Sequence, residues 1–351
     1  MTPDTPCSGP GGRTGTTIAR WVESVEPFLG PLAEVAADFT AITGVRIDLP
    51  TVLFLRARLA GRDLPVRTSA GGSCHLLPTS DGWAAVNLAR SDDLTAVPAL
   101  LAILGAAGQT VQALREAARR VTAAEVAEGA QMLGMAAAGL RSAFDEPVPV
   151  RSERFGGLRA RDLTGLRVID LSALWAGPLC ARLLGLAGAR VTKVESTTRP
   201  DGARSGQPAF YRWLHDGHES VMVDFGSGRL AEIVAEADVV IEASRPRALR
   251  RLGIHAERFL AERPGRVWVS ITGYGREDDR VAFGDDAAVA GGLTGLDGNG
   301  GPVFLGDAIA DPVTGVFAAH AAARSLARGG GELVAVSMAG CAATVARGAP
   351  C

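Results

Sequence analysis

A chain of 351 residues, 47% apolar and 21% charged, carries enough apolar side chains for sizeable cores, suggests two domains, and excludes disorder over most of its length. A net charge of −2, from 36 Lys+Arg against 38 Asp+Glu, and only 5% aromatic residues argue against a nucleic-acid partner, because neither a basic field nor stacking rings are available. No uncharged apolar run reaches the ~18 residues of a membrane span.

In chain order, MTPDTPCSGPGGRTGT lacks the apolar stretch of a signal peptide, and residues 1–17 read as a flexible tail. Residues 18–148 are mostly helical in pattern and are expected to form a small α+β domain. Within it Gly71–Cys74, His75–Pro78 and Gly82–Leu88 read as a β-hairpin-like segment turned at Ser80-Asp81-Gly82. Val111–Val121 and Ala124–Leu140 read as Ala/Leu-rich helices. Prolines, glycines and frequent charges mark 149–163 as a linker. Residues 164–351 then alternate strand and helix. Arg167–Leu171 is a short β-branched strand, Ala176–Ala187 a helix and Arg190–Val194 the next strand, a βαβ unit that must cross over right-handed onto a parallel sheet. Ser220–Asp224, Asp238–Ile241, Val267–Ile271 and Glu332–Val336 are further strands, separated by helices near 227–236, 247–253 and 256–262. The fold class expected is α/β: a Rossmann-like parallel sheet with helices on both faces, plus the smaller α+β domain.

The chemistry is narrowed first by what the sequence lacks. There is no GxGxxG, no GxxxxGKS and no GxSxG, which removes the usual fingerprints of dinucleotide binding, P-loop ATP binding and the α/β-hydrolases. Cysteines at 7, 74, 180, 341 and 351 are scattered, form no zinc motif, and read as reduced thiols of a cytoplasmic protein; no metal site is expected. His215, His218 and His255 read as surface or satisfied polar histidines. What remains is a helix start at Ala176-Gly177, with Pro178 in its first turn, presenting backbone donors at the carboxyl end of a strand. Two acidic stretches follow: Phe283-Gly284-Asp285-Asp286, and Asp307 with Asp311 ahead of an Ala-rich helix over Val316–Leu326. A carboxylate in that position is either a helix cap or a nucleophile beside donors that stabilise an oxyanion.

The run LRVIDLSALWAGPLCARLLGLAGARVTKVES (166–196) resembles the opening of the family III CoA-transferases, the superfamily of formyl-CoA transferase, carnitine CoA-transferase and α-methylacyl-CoA racemase. ESVMVDF (219–225), ADVVIEASRPRALRRLG (237–253), RPGRVWVSITGYG (263–275), GDDAAVAGGLTG (284–295), IADPVTGVFAA (309–319) and GGGELVAVSM (329–338) follow in the family's order. The resemblance implies a CoA-transferase that moves CoA between an acyl-CoA thioester and a carboxylic acid. Asp311, with Gly315 at the matching spacing, is then the catalytic aspartate. CoA would be a substrate with no separate cofactor. Leu174, Trp175 and Ala176 would line its adenosine–pantetheine path, Ala243, Ser244 and Ala248 would follow the strand at 238–241, Arg251 would meet the phosphates, and Gly273 and Tyr274 match a Gly-aromatic pair of the family. The resemblance also implies an interlocked homodimer.

Three departures qualify the match. Ser196 replaces a proline, and Gly217-His218-Glu219-Ser220 replaces a Gly-Lys-Arg-Ser run. Gly284-Asp285-Asp286 replaces the Gly-His-Asp of the racemase branch, so that branch's Asp/His pair is absent. The segment 68–101 resembles the family's small domain, which ordinarily comes later in the chain. The order therefore reads as permuted, with Gly71 and Gly72 matching the glycine loop that closes over the site. A racemase- or lyase-type relative and a non-catalytic CoA-binding paralogue are the alternative readings.

Overall fold

The computed structural model describes residues 14–145 and 148–348. The expected tail falls outside the described residues over 1–13, as do Cys7 and Cys351, and the first helix already begins at Thr14.

Three helices open the chain: α1 (Thr14–Val25), α2 (Leu29–Thr43) and α3 (Leu49–Leu59). Asp48 caps α3 by accepting the Thr51 N–H at 3.4 Å. The small sheet follows, with β1 (Cys74–Pro78), β2 (Trp83–Asn87), α4 (Ser91–Ile103), α5 (Val111–Ala118), α6 (Ala123–Met132) and β3 (Ala136–Gly139). Strands β1 and β2 form the expected hairpin, and β3 adds antiparallel to β2. The expected helix over Ala124–Leu140 is thus two elements. Gly134, at φ +74°, stops α6 with the Gly134 N–H on Gln131 and the Met135 N–H on Ala130, and the small residues after it are short enough to pack as a strand. Helices α4–α6 bury Leu100, Leu114 and Val126 against Leu77 and Val86 of this sheet.

The larger sheet comprises β4 (Val150–Arg154), β5 (Arg167–Asp170), α7 (Ala176–Leu186), β6 (Arg190–Ser196), α8 (Pro208–Leu214), β7 (Glu219–Val223), α9 (Arg229–Ala235), β8 (Val239–Glu242), α10 (Pro246–Arg251), α11 (Ala256–Glu262), β9 (Val267–Thr272), α12 (Gly284–Ala290), β10 (Thr294–Leu296), β11 (Pro302–Phe304), α13 (Ala310–Ala327), β12 (Glu332–Ser337) and α14 (Met338–Ala346). Its seven strands run in the order β4-β12-β9-β8-β5-β6-β7, all parallel except β4, while β10 and β11 pair separately. The stretch read as a linker therefore contributes an edge strand. Its backbone pairs with β12, and its exposed charged residues suit an edge.

The alternating faces of the parallel strands sort the helices. Val168, Val239, Val269 and Val334 face α7, α13 and α14, whereas Ile169, Val240, Trp268 and Leu333 face α9–α11. Helices α1–α3 belong to the first of these cores: Leu32, Phe39 and Leu53 are buried with α13. The sequence boundary near 148 thus does not coincide with a boundary of packing, because α2 covers α13 while only the small sheet and α4–α6 enclose a core of their own. The small sheet in turn sits on α12, with Cys74, Leu76 and Ala85 against Val289 and Phe304.

Candidate functional site

Strand β5 runs out to β6 and β7 on one side, and the chain then returns to place β8 on its other side. The carboxyl ends of β5 and β8 therefore flank a topological switch point, where open α/β sheets bind ligands. The turn after β5 is held from below by a buried ion cluster. Lys193 lies 3.5 Å from Asp170 and 3.1 Å from Asp201, its Nζ donates to the Ser172 carbonyl, and Asp201 accepts the Leu174 N–H at 3.0 Å. Leu174 is consequently held at φ +70°, an uncommon conformation for a side-chain-bearing residue, and its side chain is exposed.

The expected ligand residues separate by burial. Ala243, Ala248 and Arg251 are exposed around α10, and Ser244 is half-buried with its hydroxyl donating to Glu242 at 3.1 Å. Arg251 makes no hydrogen bond or ion pair with the described residues. Trp175 and Ala176, by contrast, are buried. The Trp175 indole packs edge-on to Phe210 and under the Arg56 guanidinium, 4.4 Å from the ring centre. What this pair offers a ligand is backbone at the start of α7. Gly273 accepts the Ala339 N–H at 2.9 Å, and a Cβ there would lie 2.6 Å from Ala282. Tyr274 packs under Arg280 at 3.8 Å and lines a cavity of about 850 Å³ shared with Arg151, Arg276 and Ser337. Asp311 does not line that cavity.

Asp311 lies in the first turn of α13, which starts at Ala310, six residues before the expected start at Val316. It is not the cap: Ile309 holds that position and no side chain caps the helix. Gly284 packs directly on it, since a Cβ there would be 2.3 Å from the Asp311 Oδ2 and 2.4 Å from the Ala308 carbonyl. Gly315, one turn on, lets α13 cross α7, since its Cβ would be 2.8 Å from the Ala176 carbonyl. The spacing Asp311–Gly315 thus joins the carboxylate to the helix start that follows β5.

Asp307 and Asp285 lie close enough to act on its charge, and Asp286 follows Asp285 on α12. Asp307 is fully buried and accepts a two-pronged bond from Arg56, Nε at 2.8 Å and Nη2 at 2.6 Å, plus Arg62 Nη1 at 2.6 Å. Asp285 accepts the Ala308 N–H at 3.0 Å, which braces a turn where Ala308 sits at φ +47°. Asp286 accepts from Asn87 Nδ2 at 3.1 Å and from the Phe283 N–H at 3.0 Å. Burial pushes Asp311 up to about 7, with Arg56 pulling it down and Asp285 and Asp307 adding to the rise. Burial likewise lifts Asp285 to about 6, helped by Asp307, and Asp286 to about 8 against the pull of Asn87. A carboxyl near 7 is ionised in an appreciable fraction of molecules at neutral pH and is a stronger nucleophile than an ordinary carboxylate.

In the loop before β1, Gly71 meets this cluster through Arg62, whereas Gly72 has no close neighbour. A Cβ on Gly71 would lie 3.5 Å from Arg62 Nη1, and Gly72 sits at φ +82° in open space. Sequence reading missed Arg56, Arg62 and Asn87. Their partners are about 200 to 250 positions away, and no local pattern marks them. The histidine expectation also changes: His215 and His218 face each other at 5.7 Å, both nitrogens of His215 lack partners, and burial lowers both rings, His215 to about 4. Cys74, Cys180 and Cys341 are free and buried.

Comparison with known proteins places residues 163–350 in register with CoA-transferase family III. The chain is 31% identical to an acyl-CoA transferase of Fusarium pseudograminearum over 179 residues, 44% of this chain and 39% of that protein. It is 30% identical to the succinyl-CoA–D-citramalate CoA-transferase of Chloroflexus aurantiacus over 175 residues, 45% of this chain and 44% of that one. It is 31% identical to the succinyl-CoA:glutarate CoA-transferase of Homo sapiens over 174 residues, 45% and 40% of the two chains. A CAIB/BAIF family protein from Brucella suis, known from a crystal structure, is 29% identical with a TM-score of 0.47 over 53% of this chain and 55% of that one. The matches span less than half the length of these curated relatives.

Proposed function

The chain belongs to CoA-transferase family III, and we propose that it is an enzyme that moves CoA from an acyl-CoA thioester to a carboxylic acid through Asp311. The ionised Asp311 attacks the thioester carbonyl, giving a mixed anhydride and CoA thiolate. The thiolate attacks the aspartyl carbonyl, releasing the first acid and leaving an aspartyl-CoA thioester. The acceptor carboxylate attacks that thioester, and the thiolate, released again, takes the new acyl group and frees Asp311. Covalent catalysis divides one difficult exchange into easier steps.

The observation that carries this reading is the Asp311 carboxyl, raised to about 7 and packed against Gly284, one turn before the Gly315 that meets the start of α7. CoA acts as a substrate over the β5 and β8 ends, with Arg251 available to its phosphates, and no separate cofactor is needed. Gly71 and Gly72 close over the cluster. A cytoplasmic homodimer belongs to the same reading; no described helix is long and apolar enough to cross a membrane.

The test is incubation with a panel of acyl-CoA thioesters and acids, with mass detection of a CoA adduct on the peptide that contains Asp311. The adduct is expected in the native chain and absent from Asp311→Asn. Undiminished transfer by Asp311→Asn sinks the proposal.

A further inference from the structure

Of the 36 Lys and Arg residues a single one is lysine: Lys193, on β6, with a side chain only 1% exposed. By alternation from Val168 and Val191, Asp170 and Lys193 point to the α7 side of the sheet, where they are neighbours across β5 and β6. An ion pair thus stands where the two strands would otherwise continue their apolar core. A buried ion pair gains little stability over well-packed apolar side chains. The contribution of this one has to lie in what it fixes.

What it fixes is the turn from β5 to α7. On one flank of that turn the Lys193 Nζ donates to the Ser172 carbonyl. On the other it lies 3.1 Å from Asp201 Oδ2, while Asp201 Oδ1 accepts the Leu174 N–H at 3.0 Å and the Ala203 N–H at 2.9 Å. Glu195, two residues on from Lys193 in β6, accepts the Asp201 N–H at 2.7 Å. Both flanks are therefore tied to one strand, and Leu174 is kept at φ +70° with its side chain exposed. Gly202 packs on that side chain, since a Cβ there would lie 3.4 Å from Leu174 Cδ2. Asp170, Asp201 and the Ser172 carbonyl converge on a single nitrogen. That arrangement suits the three donors of an ammonium and not the planar fork of a guanidinium, which accounts for a lysine here in a chain that otherwise uses arginine.

We propose that Lys193 is a positioning residue: through Asp201 and the Ser172 carbonyl it locks the β5–α7 turn in the conformation that meets the adenosine–pantetheine part of CoA. The inference rests on the transferase reading above. Lys193 touches neither CoA nor the reacting atoms. It acts through Leu174, whose uncommon backbone conformation persists only while its surroundings hold it, and through the start of α7 that follows. Without the lock the turn relaxes, and the substrate loses contacts remote from its thioester. The cost therefore falls on binding of the long CoA moiety and not on the chemical step.

The experiment takes an acyl-CoA that the panel above identifies as a donor and compares it with the same acyl group on N-acetylcysteamine, which keeps the thioester and lacks the pantoate and nucleotide. Lys193→Met should raise the acyl-CoA KM at least tenfold with kcat within threefold of native, and leave kcat/KM for the short thioester within twofold. Lys193→Arg, which keeps the charge but not the shape, should not restore the acyl-CoA KM. Asp201→Asn, whose amide oxygen can still accept the Leu174 N–H, should raise that KM by a smaller factor of at least three; it also carries the comparison if Lys193→Met does not fold. An unchanged acyl-CoA KM in the folded variants, equal losses on both donors, or full recovery in Lys193→Arg overturns the proposal. A merely structural ion pair would lower the thermal midpoint and scale both donors alike. If no transfer is seen at all, the parent reading fails separately, and calorimetric titration of CoA into the free protein decides. Binding weakened at least threefold in Asp201→Asn supports the lock; equal binding, or none in either chain, overturns it.

Discussion

In the seven-stranded sheet, the expected ligand residues lie at the ends of β5, β8 and β9, where parallel pairing and the switch in strand order place them with little help from side chains. In the region before β4 the contribution is of the opposite kind. Arg56, Arg62 and Asn87 reach out of a helix, a helix-ending turn and a strand to satisfy carboxylates of the later region. Arg67 does the same to Asp297 at 2.5 Å, stacked on Trp83 at 4.1 Å. One half provides a scaffold whose geometry is backbone-determined, and the other provides cations and amides that partly offset the burial that dominates the ionisation of these aspartates. A site with four aspartates in one patch is tenable because of this division, since uncompensated buried charge is costly.

The two contributions can be separated by substitution. The largest effect is expected for Asp311→Asn, which keeps shape and removes the nucleophile: transfer should fall at least ~10³-fold. Direct binding assays should find CoA affinity unaltered. Equal loss of binding would show that the carboxylate holds ligand rather than attacks it. Asp307→Asn strikes the junction between the halves. It leaves Arg56 and Arg62 facing a neutral group, and denaturant unfolding should report a loss on the order of 3 kcal/mol. A stability change near zero would mean that the cations are solvated well enough to stand alone.

Gly315→Ala tests the scaffold alone. Its new methyl would meet the Ala176 carbonyl and Leu179 at 2.8 Å, so α13 must move off α7. A cost of about 1–3 kcal/mol is expected, and a crystal structure showing an unmoved α13 would contradict it. Arg251→Ala acts at the far end of the same scaffold. An exposed guanidinium with no partner among the described residues should leave the thermal midpoint where it is, yet weaken CoA binding by ~1.5–3 kcal/mol through lost charge-assisted bonds. Unchanged CoA affinity would return Arg251 to a solvated face.

The smallest effect is a shift along the pH axis. Asp311 must lose its proton to attack, so the rate should rise with pH through about 7. The Arg56 cation favours the ionised form; Arg56→Gln removes it, and the rise should move to higher pH, read from a pH–rate profile. An unmoved profile would assign the rise to another group. Asp286 has a separate signature. Its carboxyl keeps a proton in the folded chain up to about 8 and loses it in the unfolded chain near the ordinary aspartate range, so its contribution to stability falls as pH rises between those limits. Asp286→Asn should flatten that part of the curve of thermal midpoint against pH.

Much of this is legible in the sequence. The strands over 167–171, 190–194 and 267–271 and the hairpin turning at Ser80-Asp81-Gly82 follow from patterns spanning a few residues, whereas Asp311 with Gly315 is singled out by the resemblance to the family. Apolar alternation, turn chemistry and helix starts act locally, and a parallel sheet leaves few ways to assemble them. The sequence by itself also determined which carboxylates stand near a helix start. Only the tertiary structure decided that Ala136–Gly139 leaves the helix to become a strand, that Val150–Arg154 joins the large sheet, and that α1–α3 cover α13. It alone brought Arg56 and Arg62 onto Asp307 and Asn87 onto Asp286. Burial and long-range ion pairing depend on which surfaces meet after the chain has folded back on itself, and the charge state of the four aspartates follows from them.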